Sequence, residues 1–373
     1  MTMKMKPGKP RQFHLLVLLL ILLLCVVIYF SGVLRPGQVK VEIKKKEIIK
    51  SNYSFIHEHW QEDKLKQLRE SEDFTATRAS DQFQYFLKLC DWVHRQWERS
   101  VPDPYPLCNA IDILRDIRSK KTGGFCGQYA YVLADVLKSL GFFNVRCVEL
   151  WSNKEKNKSH FVVEVWCDLY EKWVILDPDN NIYFEVKESG LPANAFEIRE
   201  SLFAGPAVIP RPVPAVPASQ EIKKDRFSHL YANFAVSLRS DLMRHPKPLT
   251  VGDRFRMFLF FKDKNTNEFF FGNSIPYIQV SQRKEDLYYD CNVVRVEYTI
   301  DKDEGDVILF FFTDASMPNF KAFSISSDGG KTWNLLRGYR YRVKKSRQPV
   351  VVLAAPLNMY DRPGCINTIS IEY

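Results

Sequence analysis

The sequence predicts an α+β fold followed by an all-β, sandwich-like domain, and three observations carry that prediction. Apolar residues recur at helical spacing between residues 81 and 141. From Asn144 the pattern changes to short strand-like runs, so helices precede the sheet. Beyond residue 249, strand-length runs alternate with turn residues, as in a sandwich. The resulting division is an N-terminal apolar segment (1–34), a polar stalk with a first helix (35–80), the α+β domain (81–203), a proline-rich linker and helix (204–248) and the β-domain (249–373).

Of the 373 residues, 46% are hydrophobic and 14% aromatic, enough for packed cores and too many for a disordered chain. The net charge of +9 is spread out, and its one dense basic run, KVEIKKKEIIK at 40–50, adjoins the apolar segment. Lipid headgroups or water suit that run better than nucleic acid, and no nucleic-acid partner is expected. Lys4, Lys6, Lys9 and Arg11 precede an unbroken apolar run from Leu15 to Phe30, extendable to Leu34. About 20 such residues cross a bilayer core. No small-residue cleavage site follows. Residues 13–34 therefore read as an uncleaved signal-anchor, with the bulk of the chain periplasmic, extracytoplasmic or lumenal.

In the stalk, His57 and His59 flank Glu58, and the two histidines are expected in water rather than on a metal. The first helix of the α+β domain is DQFQYFLKLCDWVHRQWERS (81–100), closed by VPDPYP (101–106). The second is NAIDILRDIRSK, with Ile111, Leu114 and Ile117 at helical spacing. A third follows the string TGGFCGQYA: Ala130, Leu133, Leu137 and Leu140 share one face, and Gly141 is a natural C-terminal cap. Strands are expected at NVRCVELW, HFVVEVWC and KWVILDP. Five prolines within residues 204–219 mark a linker or strap, and DRFSHLYANFAVSLRSDLMR (225–244) reads as one helix. In the β-domain, SSDGGKTW (326–333) fits an S-x-D-x-G-x-x-W hairpin in which Asp328 caps the turn and Trp333 packs beneath it.

The chemistry gathers around Cys126. A helix that starts there presents unsatisfied N–H groups and partial positive charge to the thiol, which favours thiolate. Gly123 and Gly124 leave room for a substrate strand to approach. A thiolate nucleophile needs a base, and the base an orienting group. His160 opens one strand and Asp177 closes the next. A turn centred near residue 168 would make these strands a hairpin with the two side chains opposite each other and on one face. The eight cysteines form no C-x-x-C pair and no zinc-like spacing with histidine, and no metal or cofactor is expected. Outside the cytosol, disulfides among the seven beyond Cys25 are allowed, with Cys126 the natural odd one out.

The blocks GFCGQYA, HFVVEVW and WVILDP, in that order, resemble the transglutaminase-like core, the papain-like cysteine-hydrolase fold of transglutaminases, peptide N-glycanases and many bacterial envelope proteins. The resemblance spans about residues 85–190. It implies Cys126 as nucleophile, His160 as general base and acid, and Asp177 as the orienting carboxylate. It also implies an oxyanion donor beside the Cys126 N–H, for which Trp92, Trp97 and Gln128 are candidates. The expected function is acyl transfer on amide bonds through a thioester, on a peptide, protein or cell-envelope substrate. Hydrolysis ranks ahead of crosslinking. The alternatives are a non-catalytic envelope module that binds through its β-domain, or deglycosylation of asparagine-linked glycans. The topology is directly testable: protease outside spheroplasts or sealed microsomes should behave oppositely on the two, digesting residues 35–373 in the former and sparing them in the latter. The reverse pattern would place the bulk of the chain in the cytosol.

Overall fold

The computed structural model describes residues 39–45, 47–79, 81–154, 158–203, 205–213, 228–244, 251–266, 275–313 and 317–373. The expected anchor at residues 13–34 lies outside them. No helix among the described residues is long and apolar enough to cross a membrane.

The α+β order holds. Helices α1 (Asp63–Ser71), α2 (Gln82–His94), α3 (Ala110–Arg118) and α4 (Cys126–Ser139) precede strands β2 (Val145–Trp151), β3 (Ser159–Cys167), β4 (Lys172–Asp177) and β5 (Ile182–Val186). Local chemistry fixes the helix ends. The Asp81 carboxylate accepts from Gln84 N at 2.9 Å and starts α2, and Asn109 Oδ1 accepts from Asp112 N at 3.1 Å and starts α3. Helix α4 ends in a Schellman turn: Gly141 lies at φ +91°, with Phe142 N bonded to Leu137 O at 3.0 Å and Gly141 N to Lys138 O at 2.9 Å.

Helix α4 departs from the one-faced pattern read in its sequence, for every residue from Gly127 to Ser139 is buried. Helices α1, α2 and α3 and strands β2 and β3 all pack on it. Its charged residues are therefore tied internally. Asp135 Oδ2 accepts from Ala110 N at 2.8 Å, at the positive end of α3. Lys138 Nζ lies 2.7 Å from Asp135 Oδ1 and donates to the Ser240 carbonyl. Glu58 is 1% exposed, 3.8 Å from Lys138 Nζ, and accepts from Met243 N at 3.0 Å. His57 beside it stands 3.2 Å from the Phe143 carbonyl, while His59 is exposed.

The sheet around α4 has eight strands and reaches well beyond residue 203. Its order is β6-β5-β4-β3-β2-β7-β8-β9, where β6 is Val208–Pro212, β7 Asn233–Ser237, β8 Phe258–Phe261 and β9 Gln279–Ser281. The single helix expected at 225–244 is thus corrected to a short 3₁₀ turn, Ser228–Ala232, followed by β7. The reason is burial on both faces: Phe234, Ala235 and Val236 are all fully buried, and a short continuous apolar run fits a central strand as well as a helix. Part of the proline-rich strap likewise becomes an edge strand, β6, where prolines leave no ladder donor missing in the interior.

Two further sheets follow. One has the order β1-β16-β15-β12-β13, built from β1 (Lys40–Ile43), β12 (Phe320–Ser326), β13 (Asn334–Leu336), β15 (Val350–Asn358) and β16 (Asn367–Glu372). The other is β10-β11-β14, from Arg295–Ile300, Val307–Phe312 and Arg340–Val343. They share one apolar cluster in which Val307, Leu309 and Phe311 meet Ile325, Val352, Ile369 and Ile371. Residues 35–80 read in the sequence as a stalk and a first helix: the helix is present as α1, and the stalk is corrected. Residues 40–43 pair antiparallel with β16, and Leu65 and Leu68 of α1 are buried in the core around α4. The SSDGGKTW turn joins β12 to β13 as expected: Thr332 N lies 3.0 Å from both Asp328 oxygens, which Thr332 and Ser326 hold at a pKa of about 2. Trp333 closes it by donating to the Gly330 carbonyl at 3.1 Å, yet stays 38% exposed instead of packing beneath.

Burial raises the Glu58 carboxyl from 4.5 to about 7, with Lys138 opposing the shift. Between those values the folded protein keeps a proton that the unfolded chain has released. Stability should therefore fall as pH rises from about 4.5 to about 7 and level off above. Glu58→Gln, which cannot ionise, should remove this part of the slope in thermal unfolding measured across that range. An unchanged slope would mean that Glu58 is ionised in the folded protein throughout.

Candidate active site

Strands β3 and β4 form the expected hairpin, but with a different register. Val163 faces Leu176 and Cys167 faces Lys172, so Asp177 comes opposite Val162 rather than His160. The turn is four residues long, 168–171, with Glu171 at φ +49°. A two-residue shift preserves facing, whereas a one-residue shift would have inverted it. Val162, Trp166, Trp173 and Ile175 accordingly sit in one cluster, and His160 still reaches Asp177 diagonally.

His160 Nε2 lies 2.7 Å from Asp177 Oδ2, with the two side chains 6% and 1% exposed. Asn180 completes the arrangement: its Nδ2 donates to Asp177 Oδ2 at 2.8 Å and its backbone N to Oδ1 at 3.1 Å. Burial opposes charge on His160, but Asp177 and a hydrogen bond with Cys126 outweigh it and raise the pKa well above the ordinary value. Burial would likewise raise Asp177, yet His160 and Asn180 hold it below the usual carboxylate range. An ionised Asp177 only accepts hydrogen bonds, so the Nε2 position carries the proton and Nδ1 is the nitrogen left for other partners. Asn180 was missed in the sequence. The string DPDNN is a turn signal, and an Asn three residues past an Asp can bond back to it.

Cys126 begins α4, after Phe125 in extended conformation. Gln128 Oε1 reaches back to Phe125 N at 3.1 Å, the return half of a capping box. The space left by the glycines is taken by the chain itself and not by a substrate. A Cβ on Gly124 would meet Trp97 Nε1 and Ile117 Cδ1 at 2.7 Å each, and one on Gly123 would meet Val101 O at 2.6 Å. Trp97 stacks on Tyr129 with centroids 4.2 Å apart, and Tyr129 Oη donates to the Trp97 carbonyl at 2.7 Å. The aromatic of the GFCGQYA block therefore fixes the segment that carries Trp97 against the turn before Cys126.

Cys126 and His160 line one wall of a cleft of about 320 Å³, with Tyr105, Phe125, Tyr131 and Phe161 around them and Glu149 beside them. Of the three oxyanion candidates, none lines this cleft. Trp92 packs edge-on against Phe74, whereas Trp97 Nε1 and Gln128 Nε2 are buried N–H groups without an acceptor among the described residues. The seven described cysteines are free thiols. Cys126 is partly exposed and the other six are buried. A further carboxylate approaches the pair: a sulfur of Cys126, a ring nitrogen of His160 and an oxygen of Asp179 all lie within 4.8 Å of one another.

With this geometry in view, residues 71–178 match the family model of the transglutaminase-like superfamily. The match covers under a third of the chain and contains Cys126, His160 and Asp177. That segment is thus similar to a superfamily that generally comprises cysteine-dependent enzymes. No curated protein matches the chain.

Gly124→Ala tests how closely the turn is built. Adding a methyl against Trp97 and Ile117 should destabilise the fold by about 1–3 kcal/mol in denaturant unfolding, as overpacking does. A silent substitution would show that the Trp97 segment is free to move away.

Proposed function

We propose that the protein is a cysteine-dependent acyl-transfer enzyme that hydrolyses an amide bond in a peptide, protein or cell-envelope substrate, held at a membrane by residues 13–34. The observation that carries the reading is His160: Asp177 grips one ring nitrogen at 2.7 Å, and a ring nitrogen lies within 4.8 Å of the sulfur of the partly exposed Cys126. The match to the transglutaminase-like superfamily over the same residues supports it.

The thiol passes its proton to His160 Nδ1, and the sulfur attacks the amide carbon. The Cys126 backbone N–H, unpaired as the first of a helix, faces the developing oxyanion. Imidazolium then protonates the leaving amine as the C–N bond breaks, which leaves a thioester on Cys126. His160 next deprotonates water, which attacks the thioester and releases a carboxylate and the free thiol. A second amine in place of water would crosslink. Throughout, Asp177 stabilises the cationic ring and keeps the Nε2 proton in place.

Asp177→Asn separates this role from a structural one, with the alkylation rate of Cys126 near neutral pH as a readout that needs no substrate. In a serine protease the equivalent change costs about 10⁴ in kcat. A thiol is more readily ionised than a hydroxyl, so the loss here should be smaller, roughly 10- to 1,000-fold. His160→Ala should lose more. Unchanged reactivity with a lowered melting temperature would reduce Asp177 to a turn residue.

A further inference from the structure

We propose that Cys126, His160 and Asp179 form a binding site for one zinc-like divalent cation, and that the bound ion switches off the cysteine. As regulation this rests on the nucleophilic role given to Cys126. As a binding site it stands on the geometry alone.

Asp179 is the unexplained residue of the site. Its side chain is 1% exposed, and neither carboxylate oxygen has a hydrogen-bond partner among the described residues. Its one ion-pair partner besides His160 among the described residues is Arg99, whose Nε pairs with Oδ1 at 3.6 Å, longer than a hydrogen bond and from a mostly exposed side chain. Oδ2 turns the other way and lies 4.0 Å from His160 Nδ1. A buried carboxylate left in this state is costly unless something positive meets it.

The donor set names the ion. Thiolate, imidazole and carboxylate together suit zinc and its neighbours, whereas calcium and magnesium prefer oxygen alone. Zinc bonds of about 2.0–2.3 Å put tetrahedral ligand atoms about 3.5 Å apart, so the present spacing closes with small side-chain movements. Three protein ligands leave a fourth position, and Cys126 and His160 direct it into the cleft. The fourth observation is the tautomer. A ligating histidine commonly donates its other N–H to a carboxylate, and the Nε2 bond to Asp177 supplies that partner already. On binding, sulfur exchanges its proton for the metal, the proton goes to solvent, and the thiolate lone pair is no longer available for attack. No metal-like spacing was visible in the sequence because the ligands come from a helix start, a strand and a turn.

The test uses the full chain freed of metal with a chelator, and Co²⁺ as the spectroscopic probe. One equivalent should produce a thiolate-to-cobalt charge-transfer band that Zn²⁺ displaces and that prior alkylation of Cys126 abolishes. Zn²⁺ at about 100 times its Kd should slow Cys126 alkylation by about 100-fold, reversibly, while Ca²⁺ and Mg²⁺ have no effect. Asp177→Asn should weaken Co²⁺ binding by about 10- to 100-fold, as loss of an outer partner does, and Asp179→Asn by at least as much. The proposal fails if no sulfur band forms at one equivalent, if Zn²⁺ leaves alkylation unchanged, or if Asp179→Asn binds as tightly as the parent. Should Asp179→Asn not fold, the parent's band and its protection decide. The two readings fail separately: a slow Cys126 that still gives the cobalt band removes the catalytic role, and a fast Cys126 that Zn²⁺ does not protect removes the metal site.

Discussion

A helix buried on every side, whose first residue nevertheless opens onto a cleft, is the constraint from which the rest of this structure follows. Three helices and two strands enclose α4, so its side chains have no water to turn to. The apolar ones supply the core. The polar ones must be matched, and the match extends outward: Asp135 caps α3, Lys138 bridges Asp135 to the Ser240 carbonyl, and Glu58 brings in the segment before α1. Leaving any one of these unpaired costs several kcal/mol, a large share of a domain's net stability. Distant stretches of chain are thus held to α4 by its polar residues, and the position of Cys126 is held with them.

A second buried pair holds the strand that carries His160. Arg146 of β2 donates to Glu164 Oε2 of β3 through Nε at 2.9 Å and Nη2 at 2.6 Å. Glu164 Oε1 takes Ala195 N at 2.8 Å and the Tyr288 hydroxyl at 3.0 Å, and Arg146 lies 3.9 Å over the Trp173 ring. The pair is fully satisfied, so it fixes geometry without leaving an orphan charge. It also explains the glutamate in the HFVVEVW block, which lies four residues from His160 on the same face and never approaches the sulfur. Motif residues here divide into those that line the cleft and those that hold the strands beneath it.

The sequence was most legible where a local rule decides. The starts of α2 and α4, the Gly141 turn, the β3–β4 hairpin and the Asp328 turn all depend on neighbours within a few residues. Facing was legible too, because strand parity survived a register error of two. What failed depended on long-range burial. The run FAV at 234–236 reads as helix or strand until β2 and β8 are known to flank it. Nothing near Glu58 in the sequence foretells its burial, because Met243 and Lys138, which close over it, lie far along the chain. Gly123 and Gly124 suggested room for a partner, and only the fold reveals that Trp97 and Val101 occupy it.

His160 is where these threads meet, because its two nitrogens face two different carboxylates. Asp177, doubly held by Asn180, takes the Nε2 proton at 2.7 Å and commits the ring to one tautomer. That commitment leaves Nδ1 as the position toward Cys126 and Asp179, where the ring holds either a second proton or the proposed metal. The two uses exclude each other, since each occupies the same electrons and the same sulfur. Asp179 stands on the far side of the ring from Asp177, with Oδ2 at 4.0 Å from Nδ1 and neither oxygen hydrogen-bonded among the described residues. The bond between His160 and Asp177 thus underlies both uses, because it sets which nitrogen faces the sulfur and the second carboxylate.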